Sequence, residues 1–196
     1  SNFSKKLDKK IKSPVLSKTG DKLAYNYFDQ ETGEGNISIA DPQAETFKNI
    51  MPTRFGNWQV SWINNNTLSL IGNSTLESPR GLLFILDTET KSLHNILGLR
   101  NNLEIIWSPS GQKIIYSYAT DSLGQSNLYL MDLSDREEVA LNLSVNASKC
   151  TWSIDNKTVY CATNELFVIL DTSSINPVPG NIQNLPKENF DSPTTA

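Results

Sequence analysis

Four stretches of this chain can be written beneath one another: SPVLSKTGDKLAYNY from Ser13, QVSWINNNTLSLIG from Gln59, EIIWSPSGQKIIYSY from Glu104 and KCTWSIDNKTVYCAT from Lys149. Their anchors, Leu16, Trp62, Trp107 and Trp152, are spaced 46, 45 and 45 residues apart. After each anchor an apolar run closes on an aspartate, at Asp41, Asp87, Asp132 and Asp171. The first three follow their anchor by 25 residues and the fourth by 19, so the fourth unit has a shorter middle loop. Internal repetition at this period constrains the fold more than any other property of the chain, because each repeat must be one supersecondary unit stacked on its neighbours.

Each unit reads as four short strands, A to D. In the third, A is Leu103–Ser108, B is Lys113–Ala119, C is Asn127–Leu133 and D is Glu138–Ser144. Enrichment in Ile, Val, Tyr and Leu over such short runs favours strands. Ser108-Pro109-Ser110-Gly111 between A and B carries the residue preferences of a type I turn. Ser17 and Gly20 repeat that turn, and Asn66 and Asn156 stand in the glycine place, where a positive φ is expected. Strands A to C are apolar on both faces, while the D strand alternates. A sheet sandwiched between two neighbours with an outer edge in solvent needs this gradient. The expected fold is therefore all-β: a β-propeller of four four-stranded antiparallel blades. The blades would span about 11–51, 52–98, 99–144 and 145–185, with a linker at 1–10 and a disordered tail at 186–196.

The third unit resembles the WD-like repeat of TolB-type β-propellers. It does so through Trp107, Ser108, Pro109, Gly111, Lys113, Ile114 and Tyr116, followed by Asn127, Leu128, Tyr129, Met131 and Asp132. The other units match less closely, with Lys18, Asn64 or Ile154 in place of Pro109 and Leu16 in place of Trp. The resemblance covers about residues 11 to 185 and implies one of two roles. Such propellers are periplasmic or cell-surface interaction scaffolds, or gating domains of prolyl-oligopeptidase-like peptidases. They usually close with six or more blades. Four blades therefore imply a four-blade ring, a part of a larger propeller, or two copies that complete one ring.

Net charge is -4 and no basic face is evident, which argues against nucleic acid. Lysines 5, 6, 9, 10 and 12 form a basic cluster that reads as a solvated linker. No apolar run approaches the roughly 18 residues of a membrane span, so no transmembrane segment is expected. The start, SNFSKKLDKK, has no apolar core of a signal peptide. A membrane anchor, where one is used, would come from outside these residues.

The one histidine, His94, falls in an outer strand, and neither G-x-S-x-G nor H-E-x-x-H occurs. Asp29, Glu31 and Glu34 lack EF-hand spacing and read as a solvated hairpin tip. The chain is expected to be non-catalytic, with no cofactor and no metal. Cys150 and Cys161 fall on adjacent strands of the fourth unit. If Ser153 faces Thr158, the cysteines face each other and can bond; a three-residue loop with a bulge would slip the register and separate them. An even pair favours the bond and an extracytoplasmic location, periplasmic or cell-surface.

In a propeller the D–A and B–C loops share one rim. There the chain carries Arg54, Phe55, Trp58, Arg80 and Arg100, the composition of a protein or peptide interface. The competing reading packs Phe55 and Trp58 between blades one and two. The expected function is a scaffold that binds a protein or peptide partner, with self-association as a second possibility. The alternatives are the accessory propeller of a hydrolase and a carbohydrate-binding surface module.

Overall fold

Among the described residues, fifteen strands and one short 3-10 turn build four sheets, each an antiparallel meander of consecutive strands. The computed structural model describes residues 8–43, 45–73, 80–120, 124–163 and 167–172. Blade one comprises β1 (Ile11–Leu16), β2 (Leu23–Asp29), β3 (Glu34–Ala40) and β4 (Phe47–Thr53). Blade two comprises β5 (Trp58–Asn64), β6 (Thr67–Asn73), β7 (Arg80–Asp87) and β8 (Leu93–Asn101). Blade three has β9 (Glu104–Trp107), β10 (Lys113–Ala119), β11 (Ser126–Asp132) and β12 (Glu138–Ala140). Blade four has β13 (Cys150–Trp152), β14 (Thr158–Ala162) and β15 (Phe167–Asp171). The outer strand expected for blade four, the tail and lysines 5 and 6 lie outside the described residues.

The strand sequence explains the layering. The B strand β10 is buried along almost its whole length, whereas the D strand β8 is mostly exposed and carries His94 in solvent. β12 is shorter than the seven-residue D strand expected. Asn142 adopts φ +52 between two hydrogen bonds that Leu128 exchanges with Leu141 and Leu143, so an extra residue interrupts the ladder.

The serine after each anchor makes the A–B turn. In blades one, three and four the main-chain N–H groups of Lys22, Lys113 and Thr158 donate to the hydroxyls of Ser17, Ser108 and Ser153. The residues three positions on, Gly20, Gly111 and Asn156, sit at φ +74, +74 and +63 and donate to the serine carbonyls. Asn66, expected to share this conformation, does not have a positive φ. Blade two has Ile63 in the serine place, which offers no hydroxyl. It instead forms a two-residue loop with Asn64 opposite Thr67 and a bulge between Trp62 and Asn64, and the Asn64 side chain accepts from the N–H of Asn66. The released Ile63 packs toward blade three, where a Cβ on Gly111 would fall 2.4 Å from its Cγ2.

Each anchor faces the preceding blade. The Trp62 indole lies 7% exposed in the cluster formed with Ala24, Ile37 and Ile50, and its N–H donates to the carbonyl of Val15 at 3.2 Å. Trp107 packs into a second cluster with Leu83 and Leu97 of blade two, and Trp152 into a third with Ile115, Leu128 and Leu130 of blade three. Leu16, in the first blade, meets no preceding blade among the described residues and is 54% exposed. The three clusters join consecutive blades, and none among the described residues joins blade four to blade one. The described residues therefore show four blades in sequence without a closed ring.

Ser153 N–H donates to the Thr158 carbonyl at 2.8 Å, which sets the unslipped register. Cys150 then pairs with Cys161, with Cα atoms 4.0 Å apart, and the two form a disulfide. Two substitutions distinguish the layers. Leu68→Ala, at a fully buried site, is expected to cost about 3 kcal/mol, and Leu16→Ala less than about 0.5 kcal/mol, both read from urea midpoints. Replacing both cysteines by serine is expected to cost about 2–3 kcal/mol, as for a loop of this length. The native chain should weigh two hydrogens less before reduction than after.

Candidate functional site

The two rims of the array are chemically different. One carries the A–B and C–D turns, where the repeated aspartates are bound to backbone. Asp41 accepts from the N–H groups of Gln43, Glu45 and Thr46 and from the Thr46 hydroxyl. Asp87 accepts from the N–H groups of Glu89 and Thr90, and Asp132 from the N–H and hydroxyl of Ser134. These donors stabilise the charged form. The Thr46 hydroxyl, with the backbone donors behind it, holds the Asp41 carboxyl down at about 2. Asp87 and Asp132 are lowered chiefly by the N–H groups of Thr90 and Ser134, and Asp21 and Asp155 by the neighbouring hydroxyls of Thr19 and Ser153. The same rim is stitched between blades: Lys22 Nζ donates to the Asn65 carbonyl at 3.0 Å, Lys113 Nζ to the Thr172 carbonyl at 2.7 Å, and the Ser110 N–H to Asn156 Oδ1 at 2.7 Å.

The other rim carries the D–A and B–C loops, and on it the five expected interface residues separate into groups. Phe55 and Trp58 meet edge to face at 5.1 Å, and Trp58 meets Phe84 at 5.9 Å. The Trp58 N–H donates to Thr53 Oγ1 at 2.9 Å, and Asn26 Nδ2 donates to the Gly56 carbonyl at 2.9 Å. Gly56 lies so close to the Phe28 ring that a Cβ would come within 2.6 Å of it. Both aromatics are half-buried in the junction of blades one and two, with one side left to solvent. Arg54 is exposed beside them, lining a shallow depression with Glu34, Gly35, Asn36, Pro52 and Thr53.

Arg80 pairs with Asn101 and Gly81 with Arg100, so the two arginines leave opposite faces of blade two. Arg80 shares the face of Phe84, toward blade one. Arg100 shares the face of Leu83 and Leu97, toward blade three. There its guanidinium carbon lies 5.2 Å from the centre of the Tyr118 ring. Tyr118 stacks on Tyr129 at 4.8 Å, Tyr129 stacks on Tyr116 at 5.5 Å, and the Tyr116 hydroxyl donates to Glu138. Burial, then the Tyr129 hydroxyl, pushes Tyr118 up to about 12. The sequence reading assigned Tyr116 and Tyr129 to the repeat pattern and did not single out Tyr118. Tyr116 and Tyr118 are two residues apart on one strand, which already places them on one face.

Asp29, the first residue of the expected hairpin tip, is held by Lys10 Nζ at 2.7 Å and by the Glu31 N–H. Among the described residues no group of three or more His, Cys, Asp or Glu side chains could hold a metal ion, and no helix is long and apolar enough to cross a membrane.

The blade order and strand topology match known propellers. TolB from Acinetobacter baumannii aligns with 18% identity and a TM-score of 0.58, over 85% of this chain and 43% of that one. An acylaminoacyl peptidase from Pyrococcus horikoshii aligns with 17% identity and a TM-score of 0.62, over 95% of this chain and 33% of that one. The β-propeller domain of the Trilobed protease from Pyrococcus furiosus aligns with 16% identity and a TM-score of 0.57, over 89% of this chain and 59% of that one. The fold is that of the TolB-like β-propellers. The chain spans between a third and three fifths of the length of these structures. No protein-family model and no curated protein matches the sequence.

The depressed carboxyls make the fold acid-sensitive in a defined direction. A carboxyl lowered in the folded state adds stability above its unfolded pKa near 4, and that stability is lost as pH falls through the folded value. Stability should therefore be flat above about pH 5 and decline between about pH 4 and 2. Asp41→Asn should flatten the lower end of that decline, as measured by urea midpoints across the pH range.

Proposed function

We propose that this chain is a non-catalytic propeller scaffold that binds a protein or peptide through the D–A and B–C rim, outside the cytoplasm. The observation that carries the reading is the division of labour between the rims. On the A–B and C–D side the repeated polar residues, Ser17, Ser108, Ser153, Asp41, Asp87 and Asp132, are engaged in turns. On the other side the repeats disagree in sequence, and three of the chain's four arginines, Arg54, Arg80 and Arg100, lie there with Phe55 and Trp58. Loops freed from architecture are where a rigid scaffold carries recognition. The disulfide suits an oxidising compartment, and a TolB among the structural neighbours agrees with an interaction role.

The uncovered faces of the end blades support a second element of the proposal. Leu16 on blade one and Tyr160 on blade four, 54% and 42% exposed, stand where neighbouring blades pack elsewhere in the array. Further blades, from a second copy or from a longer polypeptide, would cover them. Coverage of 95% of this chain by the acylaminoacyl peptidase favours, as the alternative, an accessory propeller that gates a hydrolase. An antibody against this chain separates the two: a polypeptide large enough for a hydrolase domain in the source cells supports gating.

A random peptide library panned on the purified chain tests the rim. Enriched peptides should lose at least about tenfold in affinity with Arg54→Gln, Arg80→Gln and Arg100→Gln combined. Arg136→Gln, on the opposite rim, should leave them unchanged. Equal losses in both variants, or no enriched peptide, would reject the rim. Glycan-array binding with no peptide binding would favour the carbohydrate reading.

A further inference from the structure

We infer that the junction of blades two and three holds a carboxylate-recognition site centred on Arg100, and that its ligand is an acidic peptide segment. The inference rests on the rim-binding reading above and adds to it a place and a ligand chemistry.

Arg100 is the penultimate residue of β8, beside the D–A loop. Its side chain is half-buried, and no carboxylate among the described residues lies within ion-pair distance of it. A guanidinium has five N–H donors. Here one is used, from Nη1 to the neighbouring Leu99 carbonyl at 3.3 Å, and Nε is buried without a hydrogen-bond partner. The edge bearing Nε is sealed, which leaves the terminal nitrogens as the free donors.

The groups around this cation orient it without neutralising it. The guanidinium lies over the Tyr118 ring, its carbon 5.2 Å from the ring centre, a cation–π contact that fixes the side chain and lowers the entropy a ligand must overcome. Tyr129 stacks on Tyr118, and Tyr116 on Tyr129. The acid of the cluster, Glu138, is exposed and is taken by the Tyr116 hydroxyl. Unlike Lys10, which is paired with Asp29 on the same rim, Arg100 remains a pre-oriented fork whose charge no carboxylate among the described residues compensates. A fork of this geometry matches a carboxylate bidentately. The tyrosine platform beside it suits the apolar stem of a glutamate or a peptide backbone. Because the chain as a whole is acidic, at -4, an acidic ligand gains nothing from the overall field, so any affinity must come from a local site.

The test uses fluorescein-labelled hexaglutamate and, as a neutral control, hexaglutamine, with fluorescence anisotropy on the purified chain at low salt. Hexaglutamate should bind and hexaglutamine should not. Arg100→Gln should weaken hexaglutamate by about tenfold or more, with an unchanged melting temperature, and Arg100→Lys should recover only part of the loss. Tyr118→Leu should weaken binding without removing charge, which a purely electrostatic patch would not show. Equal hexaglutamate affinity in wild type and Arg100→Gln, or no hexaglutamate binding by wild type, overturns the site. In that event the rim reading still stands if the library peptides remain sensitive to the combined arginine variant, and falls with it if they do not.

Discussion

The fold depends on the contact that each blade makes with the one before it. A four-stranded meander with apolar residues on both faces cannot bury either face alone. The anchor residue at the end of strand A is the piece that reaches backward. Trp62 shows the full arrangement: its ring lies in the cluster shared with blade one, and its N–H ends on the Val15 carbonyl. The indole N–H groups of Trp107 and Trp152 are buried with no such partner, so packing alone holds them. At Leu16 the reaching residue meets no preceding blade among the described residues and is exposed.

Within each blade, geometry is set by short polar devices. The serine hydroxyl closes the A–B turn by accepting the N–H at the start of strand B, and the aspartate closes the C–D turn by gathering two to four donors. Because these devices satisfy themselves locally, they leave little to offer a ligand. Their rim is held further by lysine amines that cross from one blade to carbonyls of another, as from Lys22 to Asn65 and from Lys18 to Pro109.

Much of this was legible from residue spacing, and the exceptions have physical causes. Trp62, Trp107, Trp152 and the aspartates recur in phase because every blade solves the same packing and turn problems. The Cys150–Cys161 pairing could be framed as a choice of register, and one hydrogen bond, Ser153 to Thr158, decided it. Asn66 departed from the expected turn because Ile63, three residues before it, stands in the serine place, a difference present in the sequence whose consequence needed the hydroxyl's role to be seen. The five residues expected at an interface were chosen by type and position on a rim, yet they split by strand pairing: register turns Arg80 toward blade one and Arg100 toward blade three.

The sequence by itself determined the repeat, the order of the described strands and the architectural standing of the Trp, Ser and Asp positions. These are local or periodic properties, written in nearest-neighbour chemistry. Tertiary structure alone decided which arginine meets an aromatic platform, which aromatics are absorbed into a blade junction, and that Arg100 lies beside Tyr118 with no carboxylate of the described residues in ion-pair reach. Those depend on side chains some eighteen residues apart, on adjacent blades, being brought face to face, and no periodicity in a single chain encodes which of two faces a loop-flanking residue will take.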